Sequence, residues 1–321
     1  MDYQKLRNRP ESFKSLTSVT IEEFDKISAY FEKEIKWEFR LNSRGQMRKN
    51  KGSLPATLPT TSMFLFFVLT YLKNNPLQEY HGASFGVSQE VVSIMLTKGL
   101  KALQRTLSKM GFRPCRDGEN FESYLEEACS KLSDNEGDIE PGNHFYIDAS
   151  DTHINRPKEK EEQKIQYSGK HKTHGVKNTF VGDESGKILY LGPTTRGSVH
   201  DKKMVDEEAI QFPAHSYLFL DLGYLGLLPK DAIIFMPHKK PKNEELTEAQ
   251  KFENYLISGI RITIEHAIGG VKRCRIILDR MRLYAMEKRD RVIEVCTSLH
   301  NLRINFRPKR KLHPIYQAAG L

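Results

Sequence analysis

The 321-residue chain has few of the features that mark secreted, membrane-spanning or disordered proteins. It contains four cysteines without a Cys-x-x-Cys pair, which argues against a zinc ribbon and a disulfide framework. The N-terminal segment lacks an apolar signal core, and the longest apolar patch, residues 63–69, is too short to span a bilayer. We therefore expect an intracellular protein without a membrane segment.

Low-complexity tracts and internal repeats are also missing, while hydrophobic residues make up 38% of the chain, enough to form a core. The length suggests about two domains. Lysine and arginine outnumber aspartate and glutamate, which gives a formal net charge of +9. A basic surplus of this size favours a polyanionic partner, most often a nucleic acid.

Residues 1–138 are predicted to form an all-α domain, because apolar residues recur with a helical period. Gly86 suits a tight turn, and Ser88 suits the N-cap of a following helix. On that helix Gln89 and Ser93 lie on a polar face, opposite an apolar face. This layout over residues 63–107 predicts a helix-turn-helix whose second helix enters the major groove, and an ordinary helical hairpin is the alternative. The apolar face consists of Val92, Met95, Leu96, Gly99 and Leu103.

Residues 139–321 alternate between strand and helix patterns and end in a basic tail, residues 307–311. The predicted order is strand, hairpin, helix, two strands and two helices. Such an order is typical of a mixed α/β sandwich of the ribonuclease-H kind. The predicted elements are a strand over 144–148, a hairpin over 175–181 and 187–191, a helix over 199–209, strands over 216–220 and 231–236, and helices over 247–280 and 288–304.

Two of the predicted strands end in an aspartate, Asp148 and Asp221. Reactive groups in α/β proteins gather at the carboxyl ends of strands, so the two carboxylates are expected to meet. Two carboxylates at such a short distance repel each other unless a cation lies between them. Oxygen ligands of this kind suit Mg²⁺ or Mn²⁺. The alternative for Asp221 is a turn residue, since Gly223 follows it closely.

The predicted long helix supplies a third carboxylate, Glu265. Arg261, Glu265 and Lys272 fall within roughly 40° of one another around a helix, so they form one polar stripe. The alternative is a surface ion pair between Arg261 and Glu265. Gly269 and Gly270 cost the helix about 1 kcal/mol each relative to alanine, which suggests that another backbone, of the sheet or of DNA, passes close by.

Six short motifs follow one another along the chain: IDASDTHINRP, YSGKHKTHGVKN, GSVHDKK, LFLDLGYLG, RITIEHAIGGVKR and SLHNLR. Each is weak alone, but their joint order and spacing resemble insertion-sequence transposases of the DDE superfamily, in the bacterial group related to Harbinger-type endonucleases. The resemblance covers nearly the whole chain, because residues 58–89 resemble the helix-turn-helix domain of these enzymes.

The resemblance implies that Asp148, Asp221 and Glu265 bind two Mg²⁺ or Mn²⁺ ions. It implies DNA cleavage at transposon ends, followed by attack of the freed 3′-OH on target DNA, with Arg261 and Lys272 as DNA contacts. It also implies a homodimer or larger assembly and a bacterial cytoplasmic, nucleoid-associated location. The family's first motif usually carries Glu where this chain has Asp151.

Further basic residues are candidates for phosphate contacts: Arg156, Lys170, Lys172 and Lys177. His200 and Asp201 form a pair that recurs at this place in the resembled family. We expect Asp201 to cap a helix or orient a metal ligand rather than bind metal directly. Two alternatives to an active transposase remain open: a catalytically quiescent DNA-binding protein derived from one, and a histidine–aspartate metal phosphohydrolase.

Overall fold

A computed structural model describes residues 1–42, 44–49, 52–130, 143–229 and 231–306. These residues form two compact units, Met1–Arg113 with residues 271–306, and Pro114–Gly270. Among the described residues no helix is long and apolar enough to cross a membrane.

The helices and strands are numbered here in chain order. The helices are α1 Tyr3–Arg7, α2 Pro10–Thr17, α3 Ile21–Arg40, α4 Thr61–Asn74, α5 Gln78–Phe85, α6 Gln89–Lys109, α7 Phe121–Ser130, α8 Lys160–Ile165, α9 Asp201–Glu208, α10 Glu248–Val271, α11 Arg275–Leu278 and α12 Met286–Asn305. The strands are β1 His144–His153, β2 Tyr167–Ser168, β3 Thr173–Gly182, β4 Ile188–Leu191, β5 Thr195–Arg196, β6 Ser216–Phe219 and β7 Ala232–Phe235.

The first unit is all helical and is built around α4 and α6. The apolar run in α4 is buried along its length, and Phe64 and Phe67 pack edge to face with neighbouring rings. Helix α3 begins with a capping box in which Thr20 and Glu23 satisfy each other's backbone amides. Helix α6 packs against both α3 and α12, so its buried face is wide.

The α5–α6 hairpin has the features expected of its sequence. Gly86 adopts φ +71° at the end of α5, a left-handed conformation that favours glycine. Ser88 is the N-cap of α6, although its side chain makes no capping hydrogen bond to the backbone. The predicted apolar face of α6 is buried, whereas Gln89 is exposed and Ser93 is half-buried.

The second unit is a mixed α/β fold on a seven-stranded sheet in the order β2-β3-β1-β6-β7, with β4 and β5 also paired to β3. β1 runs antiparallel to β3 and parallel to β6, and β7 is parallel to β6. One face is covered by α7, whose Phe121 ring lies 5.8 Å from Phe145. The other face packs against α10. There Ile264 of α10 lies close to Gly182 of β3, the residue that pairs with Tyr146 of β1.

Several predicted boundaries differ from the structure. β1 continues past Asp148 to His153, so Asp148 lies within a strand and does not end one. The extra length is held by antiparallel pairing with β3 over the whole segment. The predicted helix over 247–280 is interrupted, because α10 ends at Val271 and α11 begins at Arg275.

The predicted division at residue 138 falls outside the described residues and stays a prediction. The two compact units divide after Arg113 and again after Gly270. α7 joins the sheet because Phe121 packs in its core, and α12 joins the helical unit through α6. The basic tail, residues 307–311, also lies outside the described residues.

Candidate active site

Asp148 and Asp221 lie at one level of the sheet on neighbouring parallel strands. Tyr146 of β1 pairs with Phe219 of β6, and each aspartate lies two residues farther along its own strand direction. β6 ends at Phe219, so Asp221 leaves the sheet just where β1 continues past it. The carboxyl end of β6 therefore brings the second aspartate beside the first.

A tight turn fixes the side chain of Asp221. Its Oδ1 accepts a hydrogen bond of 2.6 Å from the Gly223 amide and caps the 3-10 helix Leu222–Tyr224. A Cβ at Gly223 would lie 2.8 Å from that oxygen, too close for a side chain. Gly226 adopts φ +85°. The turn interpretation of the aspartate–glycine sequence is thus correct, and the turn still leaves the Oδ2 of Asp221 for another partner.

Helix α10 directs Arg261 and Glu265 toward Asp148. Both act on Asp148 electrostatically, and the two residues are one helical turn apart. Among the described residues no ion pair joins Arg261 to Glu265, which argues against the surface ion pair alternative. The Arg261 Nε is buried and makes no hydrogen bond within the described part of the chain. Lys272 follows directly after the last residue of α10.

Asp148 is a largely buried carboxylate whose pKa is shifted by its surroundings. Burial raises its pKa from 3.8 to about 6. The charges of Asp221 and Glu265 raise it further, while Arg261 and the hydrogen bond from the Ala149 amide oppose the rise. An excess of negative charge around a partly buried carboxylate is the environment that a divalent cation relieves.

The donor set therefore fits a divalent cation in charge and in chemistry, since three carboxylates converge on one region from three elements. Their side chains do not yet form a closed cluster. No group of three or more His, Cys, Asp or Glu side chains within the described residues is arranged to hold a metal ion.

Asp201 takes part in a buried ion pair. Lys177 of β3 donates hydrogen bonds to Asp201 Oδ1 at 2.9 Å and to the Val199 carbonyl at 3.1 Å. The Lys177 side chain is only 7% exposed, so it is not placed to contact a phosphate. His200 is exposed and is the N-cap of α9, while Asp201 is the first helical residue.

The other predicted basic contacts are exposed. Lys170 and Lys172 lie in the turn between β2 and β3, and Lys172 has φ +53°. Arg156 is exposed and donates to the Gln163 side chain. Their role as phosphate contacts stays a prediction.

Asp151 lies on the opposite face of β1 from Asp148, because side chains alternate along a strand. Its Oδ2 is 3.2 Å from His171 Nε2, and its Oδ1 is buried without a hydrogen bond. It is therefore held by a histidine rather than grouped with Asp148.

Tyr224 is a residue of this region that the sequence interpretation missed. It is 1% exposed, and its hydroxyl makes no hydrogen bond within the described part of the chain. Burial raises its pKa well above the usual value, and the charges of Asp148, Asp201 and Asp221 add to the effect. Its position three residues after Asp221, in the turn that caps that aspartate, was the available signal.

Comparisons with known proteins agree with the motifs. Residues 147–301, which include Asp148, Asp221 and Glu265, match the family described as DDE superfamily endonuclease. The chain is also similar to a protein of Microchaete diplosiphon named "Probable transposase for insertion sequence element IS702", with 29% identity over 141 residues. That match covers 44% of this chain and 50% of the relative, so the chain spans about half the length of the relative. No solved structure matches the chain.

Residues 147–301 of the chain therefore resemble the endonucleases of the DDE superfamily. The chain's resemblance to insertion-sequence transposases, which the ordered motifs predict, is confirmed.

Proposed function

We propose that this protein is a metal-dependent DNA transposase that cleaves phosphodiester bonds at transposon ends and transfers the 3′-OH into target DNA. The observation that carries the proposal is the position of Asp148 and Asp221 at one level of adjacent parallel strands, with Glu265 acting on Asp148 from α10. The similarity to a probable insertion-sequence transposase supports DNA as the substrate.

We also propose that the second unit has a ribonuclease-H-type core. The strand order supports this: β3 is antiparallel to β1 on one side, and β6 and β7 follow in parallel on the other. A crossover through α9 then leads from the antiparallel strands to β6, and the carboxylates come from β1, from the end of β6 and from α10.

Asp148, Asp221 and Glu265 are the residues that would hold Mg²⁺ or Mn²⁺. When bound, two such ions supply charge stabilisation for an in-line displacement at a phosphodiester. Arg261 sets the charge balance of Asp148, because its guanidinium lowers a pKa that burial raises. The turn at Gly223 orients Asp221 through the hydrogen bond to its Oδ1.

DNA binding by the first unit is a separate part of the proposal. The α5–α6 pair would be the helix-turn-helix, with the start of α6 in the major groove. Gln89 is exposed there, and Ile94 is 59% exposed, an apolar side chain of the kind that contacts a thymine methyl group. Ser93 is less available, because it lines a cavity with Val292 and Lys288 of α12. Pairing two transposon ends would call for at least a dimer.

The proposal is tested by incubating the full chain with labelled transposon-end DNA and Mg²⁺, using the DNA that flanks its gene. Wild type is expected to nick the DNA, and Asp221→Asn is expected to bind it without nicking. Asp206→Asn, an exposed aspartate of α9, is the matched control and should nick normally. If wild type and Asp221→Asn give the same products, the catalytic assignment is wrong.

A catalytically quiescent DNA-binding protein is the second candidate. The observation in its favour is the lack of a closed metal-binding group among the described residues. It predicts DNA binding without nicking by wild type in the same assay. The phosphohydrolase alternative draws no support from Asp201, which is paired with Lys177.

A further inference from the structure

A basic cavity of about 360 Å³ opens to solvent on the first unit. Its wall combines α2 and the C-cap of that helix with the end of α4 and the segment before α11. The lining residues are Glu11, Lys14, Ser15, Ser18, Lys73 and Arg273, and we call this group the basic cavity. The proposed catalytic residues Asp148, Asp221 and Glu265 belong to the second unit and take no part in it.

Positive charge dominates the wall. Lys14, Lys73 and Arg273 face a single carboxylate, Glu11, so the lining residues carry a surplus of positive charge. The Lys73 Nζ donates a hydrogen bond of 3.0 Å to the Arg273 carbonyl, which joins α4 to the segment that carries Arg273. The positive side of the basic cavity is therefore held in place by a contact between its own walls.

A buried guanidinium lies beneath the hydroxyl side of the basic cavity. Arg303 of α12 is 1% exposed, and its Nη1 donates a hydrogen bond of 2.8 Å to Ser18 Oγ. Ser18 is thus a lining residue whose oxygen already rests on a positive charge. Its hydroxyl proton is left to be donated toward the opening.

A neighbouring thiol reports the same electrostatic environment. The pKa of Cys274, the residue after Arg273, is lowered by a hydrogen bond with Cys296 and by the charges of Arg303 and Lys73. Cys274 is buried, which by itself would raise its pKa. The positive charges around the basic cavity therefore favour an anion in this corner of the unit.

We propose that the basic cavity binds a phosphodiester group of the DNA backbone, through Lys14, Lys73 and Arg273 with hydrogen bonds from Ser15 and Ser18. Lysine and arginine with hydroxyl donors are the groups that contact DNA phosphates. The opening to solvent suits a continuous strand better than a small enclosed anion. The choice of DNA over free phosphate rests on the proposed function.

The test is the salt dependence of binding of the full chain to one fixed DNA duplex. Each phosphate contact contributes roughly 0.9 to the slope of log affinity against log salt concentration. Lys14→Gln/Arg273→Gln is expected to reduce that slope by about one to two and to weaken binding at low salt at least about tenfold. Lys33→Gln/Lys36→Gln removes two exposed charges from α3 and is the matched control, with little change expected.

Equal slopes for the cavity variant and the control variant would overturn the proposal. Thermal unfolding of each variant checks that it is folded, and Lys14→Gln alone, at an exposed position, is the second variant should the pair unfold. Inorganic phosphate is the second probe. Phosphate could stabilise wild type while Lys14→Gln/Arg273→Gln keeps the salt slope of wild type for DNA binding. That result would mean that the basic cavity binds a free anion, and it would also overturn the proposal.

The outcome is independent of catalysis. If wild type binds DNA without nicking it, the transposase mechanism is refuted, but the salt slope still tests whether the basic cavity binds phosphate. If wild type nicks DNA and the cavity variant keeps the wild-type salt slope, only the proposed phosphate binding by the basic cavity is refuted.

Discussion

Asp148 and Asp221 each lie two residues beyond the Tyr146–Phe219 pair that joins β1 to β6. One aspartate is still within its strand at this point, whereas the other has already entered a turn. Asp148 is held by pairing with Phe180 on its other side, and Asp221 by the Gly223 amide. The two carboxylates reach the same edge by different local structures.

Gly223→Ala should reduce DNA nicking by roughly tenfold to 100-fold, because misplacing a reacting group by about 1 Å costs that much. The added Cβ would lie 2.8 Å from the Asp221 Oδ1 and push the carboxylate away. Single-turnover nicking rates measure the effect. Gly169→Ala, at a glycine with no atom within 4 Å of the added Cβ, is the control. A Gly223→Ala rate equal to that of the control would contradict the account.

Lys177→Met should lower the free energy of unfolding by about 3 kcal/mol, since it leaves the Asp201 carboxylate partly buried without its partner. Adding Asp201→Asn should restore part of the loss. Chemical denaturation of the single and double variants measures both values. An unchanged stability, with a smaller salt slope for DNA binding, would show that Lys177 contacts phosphate after all.

Glu208→Gln should remove a pH dependence of stability. Burial raises the pKa of Glu208 from 4.5 to about 7, against the hydrogen bond from Thr179. The folded state therefore keeps a proton that the unfolded state has lost, and its stability falls as pH rises from about 4.5 through 7. The difference between the free energies of unfolding at pH 5 and at pH 8, measured by chemical denaturation, should shrink by about 1 to 3 kcal/mol in Glu208→Gln. The exposed neighbour variant Glu207→Gln should behave as wild type does.

The sequence predicts the order of the elements well, because hydrophobic periodicity is a local property. The β6, β7, α9 and α12 predictions agree with the structure to within two residues at each end. The sequence does not predict the full length of β1, because residues 150–153, SDTH, lack a hydrophobic strand pattern. They form a strand because they pair with β3. The break after Val271 was missed as well, since residues 272–278 retain a helical spacing.

The candidate site likewise contains residues that the sequence predicts and contacts that it does not. Asp148, Asp221 and Glu265 could be named from motif order, while the partners of Asp201 and Asp151 could not. Those partners, Lys177 and His171, depend on the register between β1 and β3 and on a turn that no local pattern defines. The two glycines of α10 predict the close approach of another backbone, of the sheet or of DNA, and the structure answers one part of this prediction. A Cβ at Gly269 would meet nothing within 4 Å, so the sheet is not the reason for that glycine, and close approach of DNA stays a prediction.

Gln89→Ala should weaken discrimination between the cognate transposon end and unrelated DNA, by about 1 to 3 kcal/mol for a lost base contact. Gln89 is exposed, so the free energy of unfolding should not change. Competition binding against both DNAs measures the ratio. Ser108→Ala, exposed at the far end of α6, is the control, and an equal ratio in both variants would argue for the ordinary helical hairpin.

Mn²⁺ titration followed by electron paramagnetic resonance measures whether Asp148, Asp221 and Glu265 together bind a divalent metal ion. Wild type should bind Mn²⁺, and Asp148→Asn should lose that binding while remaining folded. Asp206→Asn should bind as wild type does. Mn²⁺ binding that is the same in wild type and in Asp148→Asn would contradict the account.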